Sequence, residues 1–249
     1  MSTNKKKKKP QARPGKAAPN PMAERRGISI NTVLTVVVVL FAAFSIGGAL
    51  LSPAPPDEVS EEQLVAGASM VTDPGRPVTM VEFLDYQCPA CSAFYDNLTV
   101  GIEQDYADRI TFATRNFPLE MHALAPLAAQ AAEAAENQGR YTDMYHLLYD
   151  EYSAWAGNGA AADDDAARER FTGYAERLGL DMPRFLADLD SDDVVGRVEA
   201  DMDLGEELGV FSTPTFFIDG RRFEPVGSTF AEVDQEIRAE LDRALAEAA

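Results

Sequence analysis

The chain has only two cysteines among its 249 residues, and both stand in one motif, Cys88-Pro89-Ala90-Cys91. Two thiols at this spacing could serve as a staple, as metal ligands or as an exchangeable dithiol. A disulfide staple would close only four residues and contribute about 2 kcal/mol before strain, less than the longer loops that structural disulfides usually close. A closed zinc site wants four ligands, and the only candidates to complete it, His122 and His146, show no metal-ligand spacing to the motif. A two-coordinate copper site stays open. The local setting favours exchange. The apolar run Val78–Leu84 reads as a strand, and Ser92–Leu98 reads as the opening of a helix. A thiol at a strand-to-helix turn meets unpaired backbone N–H groups and the positive end of the helix dipole, both of which stabilise a thiolate.

The elements needed to hold that turn can be followed along the chain. Asp73-Pro-Gly-Arg-Pro77 is a turn cluster separating a short first strand, expected near Leu64–Val71, from the strand at Val78–Leu84. The helix carrying the motif is expected to run to about Ala107, and the alternating, β-branched stretch Arg109–Asn116 predicts the next strand. From Leu119 to Leu208 the pattern is helical: four or five helices and no strand. The first spans His122–Gln138 and ends at Gly139; others start at the acids Asp163–Asp165 and at Ser191-Asp-Asp193. Strand signals return at Thr215–Ile218 and Arg222–Val226, flanking the hairpin turn Asp219-Gly220. Thr229 then caps a last amphipathic helix through Val233, Ile237, Leu241 and Leu245. Strands and helices in this order predict an α/β domain with an inserted helical block.

The N-terminal part has a different character. Residues 1–27 carry nine basic side chains against one acid and several prolines, which predicts a disordered basic tail. Residues 28–51 contain no charge. Their apolar core, Val33–Leu51, is 19 residues, roughly 28 Å as a helix and close to a bilayer core. A cleavable signal peptide is the rival reading, but its apolar region is normally shorter, and prolines crowd the nearest small-residue site at Ser52-Pro-Ala54. The reading is therefore a single-pass anchor with a cytoplasmic N-terminus, a linker at 52–63, and one domain at 64–249 outside the membrane. Disulfides persist in that compartment. From Ser52 onward 13 Arg face 40 acids, a net charge of −27 with no lysine. That charge excludes nucleic acid and anionic headgroups as partners of the domain and fits a solvated acidic surface.

Three stretches in this order resemble the DsbA-like family of thioredoxin-fold thiol–disulfide oxidoreductases, in its membrane-anchored Gram-positive and actinobacterial branch. They are Val81-Glu-Phe-Leu-Asp-Tyr-Gln-Cys-Pro-Ala-Cys91, Asn116-Phe-Pro-Leu119 followed by His122, and Phe211-Ser-Thr-Pro-Thr-Phe-Phe-Ile-Asp-Gly220. The resemblance covers roughly residues 64–248. It implies a thioredoxin fold, a mixed central sheet flanked by helices, with a helical insertion at about 119–208. It implies Cys88 as nucleophile and Cys91 as the buried resolving thiol. It implies a cis bond between Thr213 and Pro214, with the Thr213 backbone receiving a substrate strand. Glu82 matches a buried carboxylate that accepts the Cys91 proton; its apolar neighbours leave a surface-pointing orientation open on alternation alone. In the Pro89–Ala90 dipeptide, Ala90 stands where strong oxidases of the family carry a His, so the potential is expected to be less extreme.

The leading expectation is an extracytoplasmic enzyme that donates disulfides to thiol-bearing exported proteins. It would need no cofactor or metal beyond the redox-active Cys88–Cys91 disulfide. A membrane partner of the quinone-linked type would reoxidise it, and it would act as a monomer. The alternatives are an envelope reductase or isomerase, a copper metallochaperone, and an antiporter-regulating or adaptor domain that uses the fold only for contacts.

Overall fold

The computed structural model describes residues 59–156 and 163–249. The expected basic tail and membrane anchor lie outside the described residues. Among the described residues, no helix is long and apolar enough to cross a membrane.

The chain enters through a short helix, α1 (Glu61–Val65), whose first turn is capped by the Ser60 hydroxyl accepting from the Gln63 N–H at 3.2 Å. Leu64, expected in a first strand near Leu64–Val71, is on this helix and fully buried. The strand itself, β1, is only Ser69–Met70. Two longer strands follow, β2 (Val78–Leu84) and β3 (Ile110–Asn116), paired in parallel. All seven residues of each are buried, and a strand covered on both faces reads as a near-continuous apolar run. Their crossover holds α2 (Pro89–Phe94), one π-turn (Tyr95–Thr99) and α3 (Val100–Tyr106).

Six helical segments make up the inserted block among the described residues. They are α4 (Ala125–Glu136), α5 (Tyr141–Asp150), the single turn α6 (Tyr152–Trp155), α7 (Asp164–Arg177), α8 (Met182–Leu189) and α9 (Asp192–Glu207). The first starts at Ala125 rather than His122, because Pro126 fits only its opening turn. Asp163 and Ser191 accept from Ala166 and Val194 N–H groups and cap α7 and α9.

The chain then returns to the sheet. Strand β4 (Thr215–Ile218) pairs antiparallel with β2, and β5 (Arg221–Phe223) pairs with β4. Asp219 and Gly220 between them have φ of 51° and 80°, the paired positive values of a tight hairpin turn. The sheet order is β1-β3-β2-β4-β5. A final helix, α10 (Phe230–Glu247), opens on a reciprocal capping box between Thr229 and Glu232.

Strand alternation sorts the core into two layers. Val78, Met80 and Leu84 pack with α2, α3, α10 and the helical block, whereas Val81, Phe83 and Phe217 pack with Leu64, Phe117 and Leu208. Glu82 lies opposite Thr114 and Phe216, so it shares the face of Met80 and Leu84. That is the face of both cysteines. On the other face, α9 approaches so closely that a Cβ at Gly205 would lie 2.6 Å from the Phe117 ring. A buried Arg115–Asp201 ion pair at 2.6 Å ties α9 to β3, and Arg115 also donates to the Leu64 carbonyl of α1 at 3.0 Å.

Candidate active site

Cys88 occupies the N-cap of α2 in extended conformation (φ −71°, ψ 122°), and Pro89 takes the first helical position. A proline there forfeits no helical hydrogen bond. The Cys88 carbonyl accepts the Ser92 N–H at 3.1 Å and so joins the first turn. Cys91, one turn in, is completely buried, while Cys88 retains 6 % exposure. Both are free thiols. The dipeptide offers no charge: Pro89 is exposed and Ala90 rests against the apolar core.

The two thiols are driven in opposite directions. Cys88 is lowered to about 6, first by a hydrogen bond from the Cys91 thiol; the Cys91 backbone N–H and the Thr213 side chain add to this, against burial and the charge of Asp85. Cys91 is pushed far above the usual thiol range by burial, and further by the charges of Cys88 and Glu82. One thiol is therefore ionised at neutral pH and its neighbour is not, the asymmetry that exchange chemistry requires.

The Thr213–Pro214 peptide bond is cis. Both residues are buried, and the Thr213 carbonyl accepts from the Cys88 thiol at 3.5 Å. Residues separated by 125 positions thus meet at the reactive sulfur. Glu82 is 2 % exposed and its Oε2 has no hydrogen-bond partner. Burial first, and then the negative charge at Cys88, raise it to about 8. It is a neutral carboxylic acid at pH 7, and its charge when ionised pushes up the buried Cys91, Tyr145 and Tyr149.

The site also holds residues to which the sequence reading gave no role. Asp85 accepts the Gln87 and Cys88 N–H groups at 2.7 and 3.1 Å, the Leu119 N–H at 2.8 Å, and the His122 Nδ1–H at 2.7 Å. Gln87 accepts the Leu124 N–H on its side chain at 2.7 Å and the Tyr152 hydroxyl on its carbonyl at 2.9 Å. His122 is therefore not a residue of α4 but a side chain of the preceding loop, turned toward the cysteine turn. His146 is on α5 as a helix residue, within hydrogen-bond distance of Tyr95 and Glu103. The signal for Asp85 and His122 was present in the quoted motifs, three residues before Cys88 and three after Leu119. Only their meeting across 37 residues gives it meaning.

A central strand leading into a dithiol at the start of a helix, faced by a cis-proline loop, defines a thioredoxin-fold protein. The family model described as Thioredoxin matches residues 67–238, and the chain belongs to that family. Its fold is shared with BdbD from Bacillus subtilis, at 22 % identity and a TM-score of 0.63, over 76 % of this chain and 99 % of that one. A variant of alpha-DsbA1 from Wolbachia pipientis is similar at 21 % identity and a TM-score of 0.60, over 76 % and 98 % of the two chains. Among curated proteins, the chain is 36 % identical over 148 residues to the Na(+)/H(+) antiporter NhaA of Herminiimonas arsenicoxydans, a match covering 58 % of this chain. The chain spans about a fifth (21 %) of the length of that relative.

Proposed function

We propose that this protein is an extracytoplasmic thiol–disulfide oxidoreductase that donates disulfides to exported proteins. The observation that carries the reading is the pairing of an acidified Cys88, set against the Thr213 carbonyl, with a buried, protonated Cys91 beside a neutral Glu82. In the donating direction a client thiolate attacks Cys88 Sγ of the Cys88–Cys91 disulfide. The S–S bond breaks, a mixed disulfide forms, and Cys91 leaves as a thiolate that takes the Glu82 proton. The client's second thiolate then attacks the client sulfur of the mixed disulfide, and Cys88 departs as a stabilised thiolate. The client has lost two electrons and become a disulfide; the enzyme has gained them as one thiol and one thiolate.

The same reading places client backbone along Thr213 and client apolar side chains against Phe211, exposed two residues upstream. Residues 28–51 anchor the enzyme, which acts as a monomer, and a quinone-linked membrane partner reoxidises it. The fold-level likeness to BdbD and alpha-DsbA1 supports the class of chemistry. Incubating the oxidised protein with a reduced, unfolded client tests the reading. The client should gain disulfides and refold, and Cys88→Ser should abolish the transfer.

A second reading comes from the NhaA relatives: a thioredoxin-fold domain that works on a sodium–proton antiporter. If that contact needs only the fold, a Cys88→Ser/Cys91→Ser protein keeps the antiporter response. If it needs exchange, the response disappears with the thiols.

A further inference from the structure

The exchange scheme leaves unused a buried acid that stands three residues before its nucleophile. Asp85 closes the turn between β2 and α2, and its side chain is wholly inaccessible. Its Oδ1 accepts the Gln87 and Cys88 N–H groups, and its Oδ2 accepts from Leu119 and His122. Four donors thus converge on the two oxygens of one buried side chain. A buried negative charge that close opposes a thiolate on Cys88, and the dipeptide between the cysteines carries no cation to answer it. The turn requires the carboxylate for its geometry, while the nucleophile is penalised by its charge.

His122 resolves this conflict. Its Nδ1 is 2.7 Å from Asp85, and the side chain keeps 17 % exposure, enough to trade a proton with solvent. Resting on the reading of Cys88 as nucleophile, we propose that Asp85 and His122 form a positioning pair: the carboxylate pins the backbone of the cysteine turn, and the imidazolium cancels its charge and helps hold the Cys88 thiolate. No bond is made or broken at His122; only a proton moves between its ring and solvent.

The groups facing the pair come from four segments. Asp85 is hydrogen-bonded to His122 and Cys88 acts on it through its charge, Glu82 of β2 and Cys91 of α2 bear on Cys88, and Tyr152 of α6 is influenced by Cys88, Asp85 and Cys91. For His122, the Asp85 hydrogen bond raises the pKa most; burial opposes it, and the charges of Asp85 and Cys88 add to the rise. Coupling of this kind is reciprocal. The Cys88 thiolate must favour the imidazolium as much as the imidazolium favours the thiolate, so converting the dithiol to a disulfide should release the proton more easily from His122.

The test uses the full chain in detergent micelles. NMR titration of the two histidines in reduced and oxidised protein, assigned with His122→Gln, should show His122 titrating at higher pH in the reduced form. In His122→Gln the thiolate absorbance of Cys88 should titrate about one unit higher, so alkylation at pH 6, near the Cys88 midpoint of the parent, should fall about fivefold. His122→Arg, which restores a cation, should recover most of that loss. Identical His122 titrations in the two redox forms would overturn the proposal, and so would unchanged Cys88 alkylation in His122→Gln. A wild-type protein in which Cys91 alkylates before Cys88 would instead overturn the nucleophile assignment on which the proposal rests.

Discussion

At the scale of residues, the site is two identical side chains three positions apart that differ in almost every chemical respect. Cys88 is held near 6 by donors that favour its charge, and Cys91 is kept neutral by burial. Alkylation followed against pH should therefore show Cys88 reacting with a midpoint near 6 and Cys91 scarcely reacting below pH 9. Cys91→Ser should accumulate mixed disulfides with clients, since the resolving thiol is gone. Because the Cys88 pKa is depressed, its thiolate stabilises the folded reduced protein fully above the ordinary thiol value of 9.0, and this contribution is lost as pH falls through about 6. Glu82 has the opposite sign. Its pKa is raised from 4.5 to about 8, so its contribution is whole below 4.5 and is lost as pH rises through about 8. Glu82→Gln, uncharged throughout, should gain stability relative to the parent across that window, as urea unfolding at pH 5 and pH 8.5 would measure. The same variant should slow exchange about 100-fold, having no proton to give to Cys91.

At the scale of elements, what was legible in the sequence was whatever is locally determined. Strands β2 and β3 were readable because burial on both faces leaves mostly apolar and β-branched residues, with Glu82, Arg115 and Asn116 as the buried exceptions. The hairpin was readable because Asp219-Gly220 suits its positive φ angles, and the caps at Asp163, Ser191 and Thr229 were readable from their hydroxyl or carboxylate chemistry. Leu64 misled because its apolar run continues to Val71, yet Ser60 with Glu61 and Glu62 is itself a helix start. Strand β1 exists only by pairing with β3, through Ser69 opposite Thr114, and no local pattern encodes two residues of strand. The Asp85–His122 contact was illegible for the same reason: each partner is ordinary alone. Tertiary ties of this kind also carry stability. Arg115 joins β3 to α9 through Asp201 and to α1 through backbone carbonyls. Arg115→Ala leaves Asp201 buried without its cation and should cost about 3–5 kcal/mol in chemical unfolding, with the exchange site unchanged at temperatures where the variant remains folded.

At the scale of the whole molecule, the sheet works as a partition. One face, with Val81, Phe83 and Phe217, is an apolar layer against α1 and α9, crossed by the buried Arg115–Asp201 ion pair. The other gathers Glu82, both cysteines and most of the helical block, so the reactive thiols share a face with the larger part of the chain's longest insertion. The charge of −27 from Ser52 onward disfavours contact with nucleic acid or an anionic bilayer. Family membership fixes the scaffold, and the direction of electron flow through it is set by how strongly the site prefers the reduced state. The acid Cys88 stabilises that state, while the uncharged dipeptide withholds one further source of stabilisation. The most direct measurement is the reduction potential of the Cys88–Cys91 pair, obtained by equilibrating the protein with glutathione buffers of graded ratio. A value between those of thioredoxin, about −270 mV, and DsbA, about −120 mV, and nearer the latter, is the predicted result. A value at or below that of thioredoxin would contradict disulfide donation and make the protein a reductase.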